Sequence, residues 1–179
     1  MKPLQSVAMG LVIVAITARL GGYDALPDPL GWLLVINGVR RLPEAYRQRS
    51  TMVWLCVLVL VVSVVLWFPV TGSWLDVHDA SLRWAVNLPQ ALVLAWFAHT
   101  LAGQAVPTDP RAARWLRTTA TLITVTAMAP VLVFGGGIGA LEVPSYVLAA
   151  LALLMLIWLL FGYSGRVWAS REATSADVR

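Results

Sequence analysis

Five stretches of near-continuous apolar sequence, 4–20, 51–69, 84–101, 118–134 and 145–163, decide what this chain can fold into. Each is close to the ~20 residues a helix needs to cross a hydrocarbon core. Hydrophobic residues make up 59% of the 179 and charged ones 12%, about half the charged share of an ordinary soluble domain, so no water-facing shell could enclose such a core. The chain reads as an all-α, polytopic transmembrane helical bundle. Residues 1–165 form a single transmembrane helical domain and 166–179 a polar cytoplasmic tail.

The basic balance, with a sequence pI near 9.8, would point to nucleic acid in a soluble protein. Here the basic residues flank apolar runs, where they orient spans and anchor to headgroups. No nucleic-acid partner is expected, and the lipid bilayer is the first partner of the chain. Cys56 is the sole cysteine and lies inside an apolar run, which excludes an internal disulfide. His, Cys and acidic residues show no metal-ligand spacing, so neither a metal nor another cofactor is expected. Lys2 ahead of an apolar run has the look of a signal peptide. However, Arg19 closes the run and Ala15-Ile16-Thr17-Ala18 fits the cleavage pattern poorly, which favours a retained first helix.

The first segment is expected to run from Leu4 to Leu20 and to break at Gly21-Gly22-Tyr23. Asp28-Pro29 then pairs an N-cap carboxylate with a proline in the first turn, and this helix should run to Leu42, ahead of Pro43. Its 14 residues rise only about 21 Å. Apolar residues cover every face, so it is expected to enter the membrane with Arg40 and Arg41 snorkelling outward. A long helix should start near Pro43-Glu44, carry Arg47 and Arg49 on its first turns and leave the membrane at Phe68-Pro69. The next span contains Pro89, an expected kink. Asp109-Pro110 repeats the start signal, and Arg111, Arg114 and Arg117 follow on one helix face. A threonine-rich span then ends at Pro130 and Gly135-Gly136-Gly137, where a turn leads to a final span from Pro144.

Charge sets the orientation. Loops 40–49 and 103–117 are arginine-rich, whereas 70–83 holds only Arg83 and 135–144 holds no Lys or Arg, which assigns the first two to the cytoplasm. Six membrane segments, the second one short, put both termini in the cytoplasm of a cell with this protein in its inner membrane. Eleven of the thirteen Lys and Arg then lie inside. Five spans plus a re-entrant or interfacial element give the same count, and the apolar circumference of the short helix favours six.

The stretch Asp24-Ala25-Leu26-Pro27-Asp28-Pro29-Leu30-Gly31-Trp32, continuing through Gly38 and Leu42, resembles a pattern of small, uncharacterised multi-pass bacterial membrane proteins. That pattern is Asp, two residues, Pro-Asp, two residues, Gly and an aromatic. The resemblance covers about 20 residues and implies a six-helix membrane fold with nothing catalytic. Physically, Asp28 suits a helix start, Gly31 lets another helix approach closely and Trp32 suits the headgroup boundary.

Two groups of polar residues are candidate sites. With six spans, Asp24, Asp28, Asp76, His78, Asp79 and Glu142 all lie on the outer face and form an acidic rim; carboxylates with one histidine suit a divalent cation or acid-base chemistry, although loops need polar residues in any case. Within the spans, Asn37, Asn87, Gln90 and His99 are expected to face the bundle interior, either as interhelical hydrogen bonds or as a polar path that is narrowest at the Pro89 kink, with a place at the cytoplasmic interface as the alternative for His99. Arg40, Arg41, Arg47, Arg49, Arg111, Arg114 and Arg117 serve as headgroup anchors. No polar group is dense enough for chemistry, so the expected role is non-enzymatic: an accessory, scaffold or assembly partner of membrane components, with a membrane-protein partner or a second copy. A small solute or ion transporter or channel is the alternative, and an enzyme built on the outer acidic and His residues comes third.

Overall fold

A computed structural model of the chain describes residues 1–16, 19–20, 23–24, 28–44, 46–68, 71 and 80–169, with the backbone alone at 19–20, 23–24, Ala80 and Arg83. The described residues hold six α-helices: α1 Pro3–Ala15, α2 Asp28–Arg40, α3 Arg49–Trp67, α4 Ala80–Ala105, α5 Pro110–Pro130 and α6 Glu142–Tyr163. Four segments are long and apolar enough to cross a membrane: Arg49–Trp67, Trp84–Ala105, Pro110–Gly135 and Gly139–Tyr163. Consecutive helices pack side by side, and α6 returns against α1 to close a ring whose sparsest seam lies between α3 and α4. Its centre is solid, with Leu4, Leu11, Trp32, Met52, Leu101, Leu116, Leu156 and Leu160 all fully buried.

The first helix is shorter than its apolar run. It ends at Ala15, Ile16 turns extended (φ −98°, ψ 107°), and Arg19–Leu20 pairs antiparallel with Tyr23–Asp24 in the register Arg19↔Asp24 and Leu20↔Tyr23. The reason is tertiary: α1 stays helical only while α2 lies opposite it. At 13 residues each, both helices rise about 20 Å, short of the ~30 Å of hydrocarbon.

Small residues hold this hairpin together. A Cβ on Gly31 would stand 2.6 Å from the Gly10 carbonyl oxygen, and one on Gly38 would stand 2.7 Å from that of Pro3. The Ser6 hydroxyl donates to the Leu34 carbonyl at 2.9 Å. Ser6 and Gly10 are thus the small-x-x-x-small face of α1, and the helices approach backbone to backbone. Trp32, one turn into α2, is fully buried and faces neighbouring helices, because α2 packs on α1 with one side and on α3 with the next. Among the described residues its indole N–H finds no acceptor.

The long helix does not begin at Pro43. The chain turns there instead, through Tyr46 N–H to the Pro43 carbonyl (3.0 Å) and Arg49 N–H to that of Tyr46 (3.1 Å). Tyr46 explains this: its ring is buried and its hydroxyl bonds Thr100 Oγ1 on α4 at 2.5 Å. Since Thr100 directs its own proton to the Trp96 and Phe97 carbonyls, Tyr46 is the donor. Burial pushes the Tyr46 phenol up to about 12.

Two further contacts fix which helix ends lie together. Asp109 caps α5 by accepting from the Ala112 N–H at 3.0 Å and pairs with Arg166, just past α6, at 3.7 Å. A Cβ on Gly165 would meet Lys2 Nζ at 3.4 Å, so the start of α1 and the end of α6 share one level. The same end carries Arg40, Arg41, Arg47, Arg49, Arg111, Arg114 and Arg117, all exposed except the half-buried Arg49. Trp54, Trp115 and Trp158, each five residues from that end of its helix, are 71%, 55% and 74% exposed. They form a belt about 7.5 Å inside the helix ends, with Arg114 and Arg117 at the same level as Trp115, the arrangement that marks a membrane interface.

Candidate functional site

The opposite end of the bundle is open on one side, where α5 breaks at Pro130. Pro130 supplies no N–H to the carbonyl four residues back, and the N–H of Val131 bonds the Ala129 and Met128 carbonyls. The chain continues as a π-helical turn, Val131–Gly135, then reverses at Gly137 with φ +68°, a left-handed conformation that glycine adopts freely. Trp84 of α4 takes up the Ala127 carbonyl, its indole N–H donating at 3.0 Å. Pro89 lies within α4 five residues beyond Trp84, and the helix runs through it without a break. Gly135 and Gly139 have nothing within 4 Å of an added Cβ, so these glycines form a turn and no close packing.

Between α4, α5 with its π-turn, and α6 lies a cavity of about 350 Å³. From α4 it is lined by Trp84, Asn87, Leu88, Gln90, Ala91 and Leu94; from α5 and the turn by Ile123, Thr126, Ala127, Pro130, Val133 and Phe134; from α6 by Glu142, Ser145, Tyr146, Ala149 and Leu153. The α6 residues follow i, i+3, i+4, i+7, i+11 spacing, one helix face. Since α4 and α6 run inward from the open end while α5 runs outward, the cavity has a gradient. Glu142, Ser145, Tyr146, Asn87 and Trp84 stand near the mouth, and Leu94, Ile123 and Leu153 form the deep apolar floor. From Glu142 to Leu153 the helix rises about 16 Å. The first part of α6 is exposed almost all round, so the cavity opens sideways as well as endwise.

Most of the hydroxyls here have spent their protons. Ser145 Oγ donates to the Leu141 carbonyl at 2.6 Å and Thr126 Oγ1 to that of Leu122 at 2.9 Å. Thr119 and Thr124 likewise bond back to Trp115 and Ala120, both at 2.9 Å, which lets a threonine-rich helix stand in apolar surroundings. Glu142 has no ion-pair partner among the described residues.

The candidate residues from the sequence divide as follows. Asn87, Gln90 and Glu142 share the cavity wall. Asn37 is half-buried on α2 and His99 exposed on α4, and neither lines this cavity. Asp28 opens α2, and Asp24 is described only as a ladder residue. Asp76, His78 and Asp79 lie outside the described residues. Among the described residues no three His, Cys, Asp or Glu gather into a metal-binding group. Trp84 and Tyr146 were not singled out in the sequence; their signal was an aromatic one turn from a polar wall residue, Trp84 with Asn87 and Tyr146 with Glu142.

No protein-family model, curated protein or solved structure matches the chain.

Proposed function

We propose that this is a six-segment inner-membrane protein, basic end in the cytoplasm, that works without chemistry of its own as an accessory or assembly partner of another membrane component. The observation that carries the reading is the side-opening cavity between α4 and α6, set against a bundle centre filled by apolar side chains. A packed centre with a vacant lateral cleft suits engagement of a neighbour in the membrane plane, whereas a channel needs a hydrated axis. The six-segment arrangement draws support from Lys2 lying beside Gly165, since termini at one end require an even number of crossings. The arginine loops at that end support its cytoplasmic assignment. The 13-residue helices are accommodated by local thinning of the bilayer.

A transporter is the second reading, because Asn87 and Gln90 line the same cavity. It requires the floor at Leu94, Ile123 and Leu153 to open toward the basic end. Native mass spectrometry after mild extraction tests both readings, using wild type and Ala149→Trp, which fills the cavity. The account expects a stoichiometric companion with wild type that Ala149→Trp loses while its melting temperature holds. Solute flux in proteoliposomes of the protein alone, abolished by the same substitution, would favour the transporter instead.

A further inference from the structure

We propose that the cavity between α4, α5 and α6 binds one amphiphile with an ammonium head, seated at Glu142, and an apolar body that runs down to Leu94, Ile123 and Leu153. The inference rests on the reading of this cavity as the working surface and names the chemistry that it takes.

Shape and polarity give the amphiphile. About 350 Å³ is at the small end of ligand pockets, enough for one chain or one compact molecule. Most of the polar residues stand toward the mouth of a passage about 16 Å long, Gln90 and Thr126 lie about one turn above its floor, and the floor is wholly apolar, so a guest with one polar end and an apolar body matches it.

Charge gives the sign of the head. Glu142 is the one charged residue in the lining, and it lacks an ion-pair partner among the described residues. Ser145 and Thr126 have committed their protons to backbone carbonyls, so toward the cavity they can only accept. The indole N–H of Trp84 is committed to Ala127. Those four groups offer acceptors or nothing; the amides of Asn87 and Gln90 and the Tyr146 hydroxyl carry both donors and acceptors and serve a head of either sign, so the Glu142 carboxylate decides against a phosphate, sulfate or carboxylate. An ammonium finds the Glu142 carboxylate, the lone pairs of Ser145 and the aromatic rings of Trp84 and Tyr146 toward the mouth, groups of the kind that recognise alkylated amines. Glu142 also lies in the first turn of α6, where a carboxylate favours the helix dipole, so the test must separate binding from helix support.

The test is titration of the full chain in uncharged maltoside micelles with decyltrimethylammonium, decyl sulfate and decanol, read by native mass spectrometry and calorimetry. One decyltrimethylammonium should bind at least about tenfold more tightly than the sulfate or the alcohol of equal chain length, a difference of the size that one well-placed ion pair supplies. Glu142→Gln should bring the ammonium to the level of the alcohol and leave the alcohol and the melting temperature unchanged; Ala149→Trp should exclude all three. Competition by phosphatidylcholine or phosphatidylethanolamine would identify a lipid headgroup as the source of the ammonium, and competition by a soluble alkylamine alone would identify a free amine. Equal binding of the three probes, or an ammonium preference that survives Glu142→Gln, would overturn the proposal. A melting temperature that falls in Glu142→Gln with probe affinities intact would assign Glu142 to the helix dipole. If Ala149→Trp still releases a companion protein while the probes bind alike, the assembly reading stands and this one falls.

Discussion

The glycines of the α1–α2 hairpin and those of the α4–α6 side mark two kinds of construction. At Gly10, Gly31 and Gly38 an added Cβ would collide with the backbone of the facing helix, whereas at Gly103, Gly135, Gly139 and Gly162 it would meet nothing within 4 Å. One half of the bundle is therefore closed by backbone contact and has a single way to pack. The other half leaves a cleft, bounded by a proline-broken helix and an exposed stretch of α6. In a membrane, where apolar burial gives helices little reason to associate, close packing supplies the rigidity. The lesson is that the short helices, too short to span comfortably, act as a strut, and the long ones carry the vacant surface.

Equilibrium unfolding in mixed micelles can break that comparison. The largest effect should come from Trp32→Ala, which empties the biggest fully buried side chain and should cost about 4 kcal/mol; a loss under 1 kcal/mol would mean that the hairpin is not packed as described. Gly31→Ala forces a methyl against the Gly10 carbonyl and should cost about 2 kcal/mol. Tyr46→Phe removes the hydrogen bond to Thr100 and should cost about 1 kcal/mol. It should also flatten the alkaline limb of the stability curve. The folded phenol titrates near 12 and an unfolded one near 10, so the folded state holds its proton longer and wild-type stability is complete below pH ~10 and falls between ~10 and ~12.

Ser6→Ala gives up one interhelical bond whose acceptor already sits in a helix, so about 0.6 kcal/mol is expected. The smallest effect belongs to the open half. Gly162→Ala should stabilise by about 0.5 kcal/mol, because helix propensity rises and nothing is displaced. A clear loss there would show that the α6 face is covered after all.

What could be read from the sequence was local. The four long spans, the Asp109-Pro110 start and the back-bonded threonines follow from hydropathy, capping and side-chain chemistry within a few residues. The early end of α1 at Ala15 could not be read, since it depends on where α2 stops facing it. The turn at Pro43 depends on Tyr46 reaching Thr100, 54 positions away. The full burial of Trp32 could not be read from one helix alone, because it depends on α2 having two neighbours. As for the site, Asn87, Gln90 and Glu142 were visible as polar residues in apolar context, yet they were assigned to two separate groups. The cavity that joins them follows from the π-turn after Pro130, a backbone feature with no residue pattern of its own.

The central claim is that the acidic, open end faces outward while the hairpin is sealed. It is tested most directly by thiol labelling of Ser145→Cys and Ser6→Cys, each in a Cys56→Ser background, with a membrane-impermeant maleimide on intact and then permeabilised cells. The account predicts labelling of Ser145→Cys on intact cells and none of Ser6→Cys under either condition. Labelling of Ser145→Cys only after permeabilisation, or ready labelling of Ser6→Cys, would contradict it.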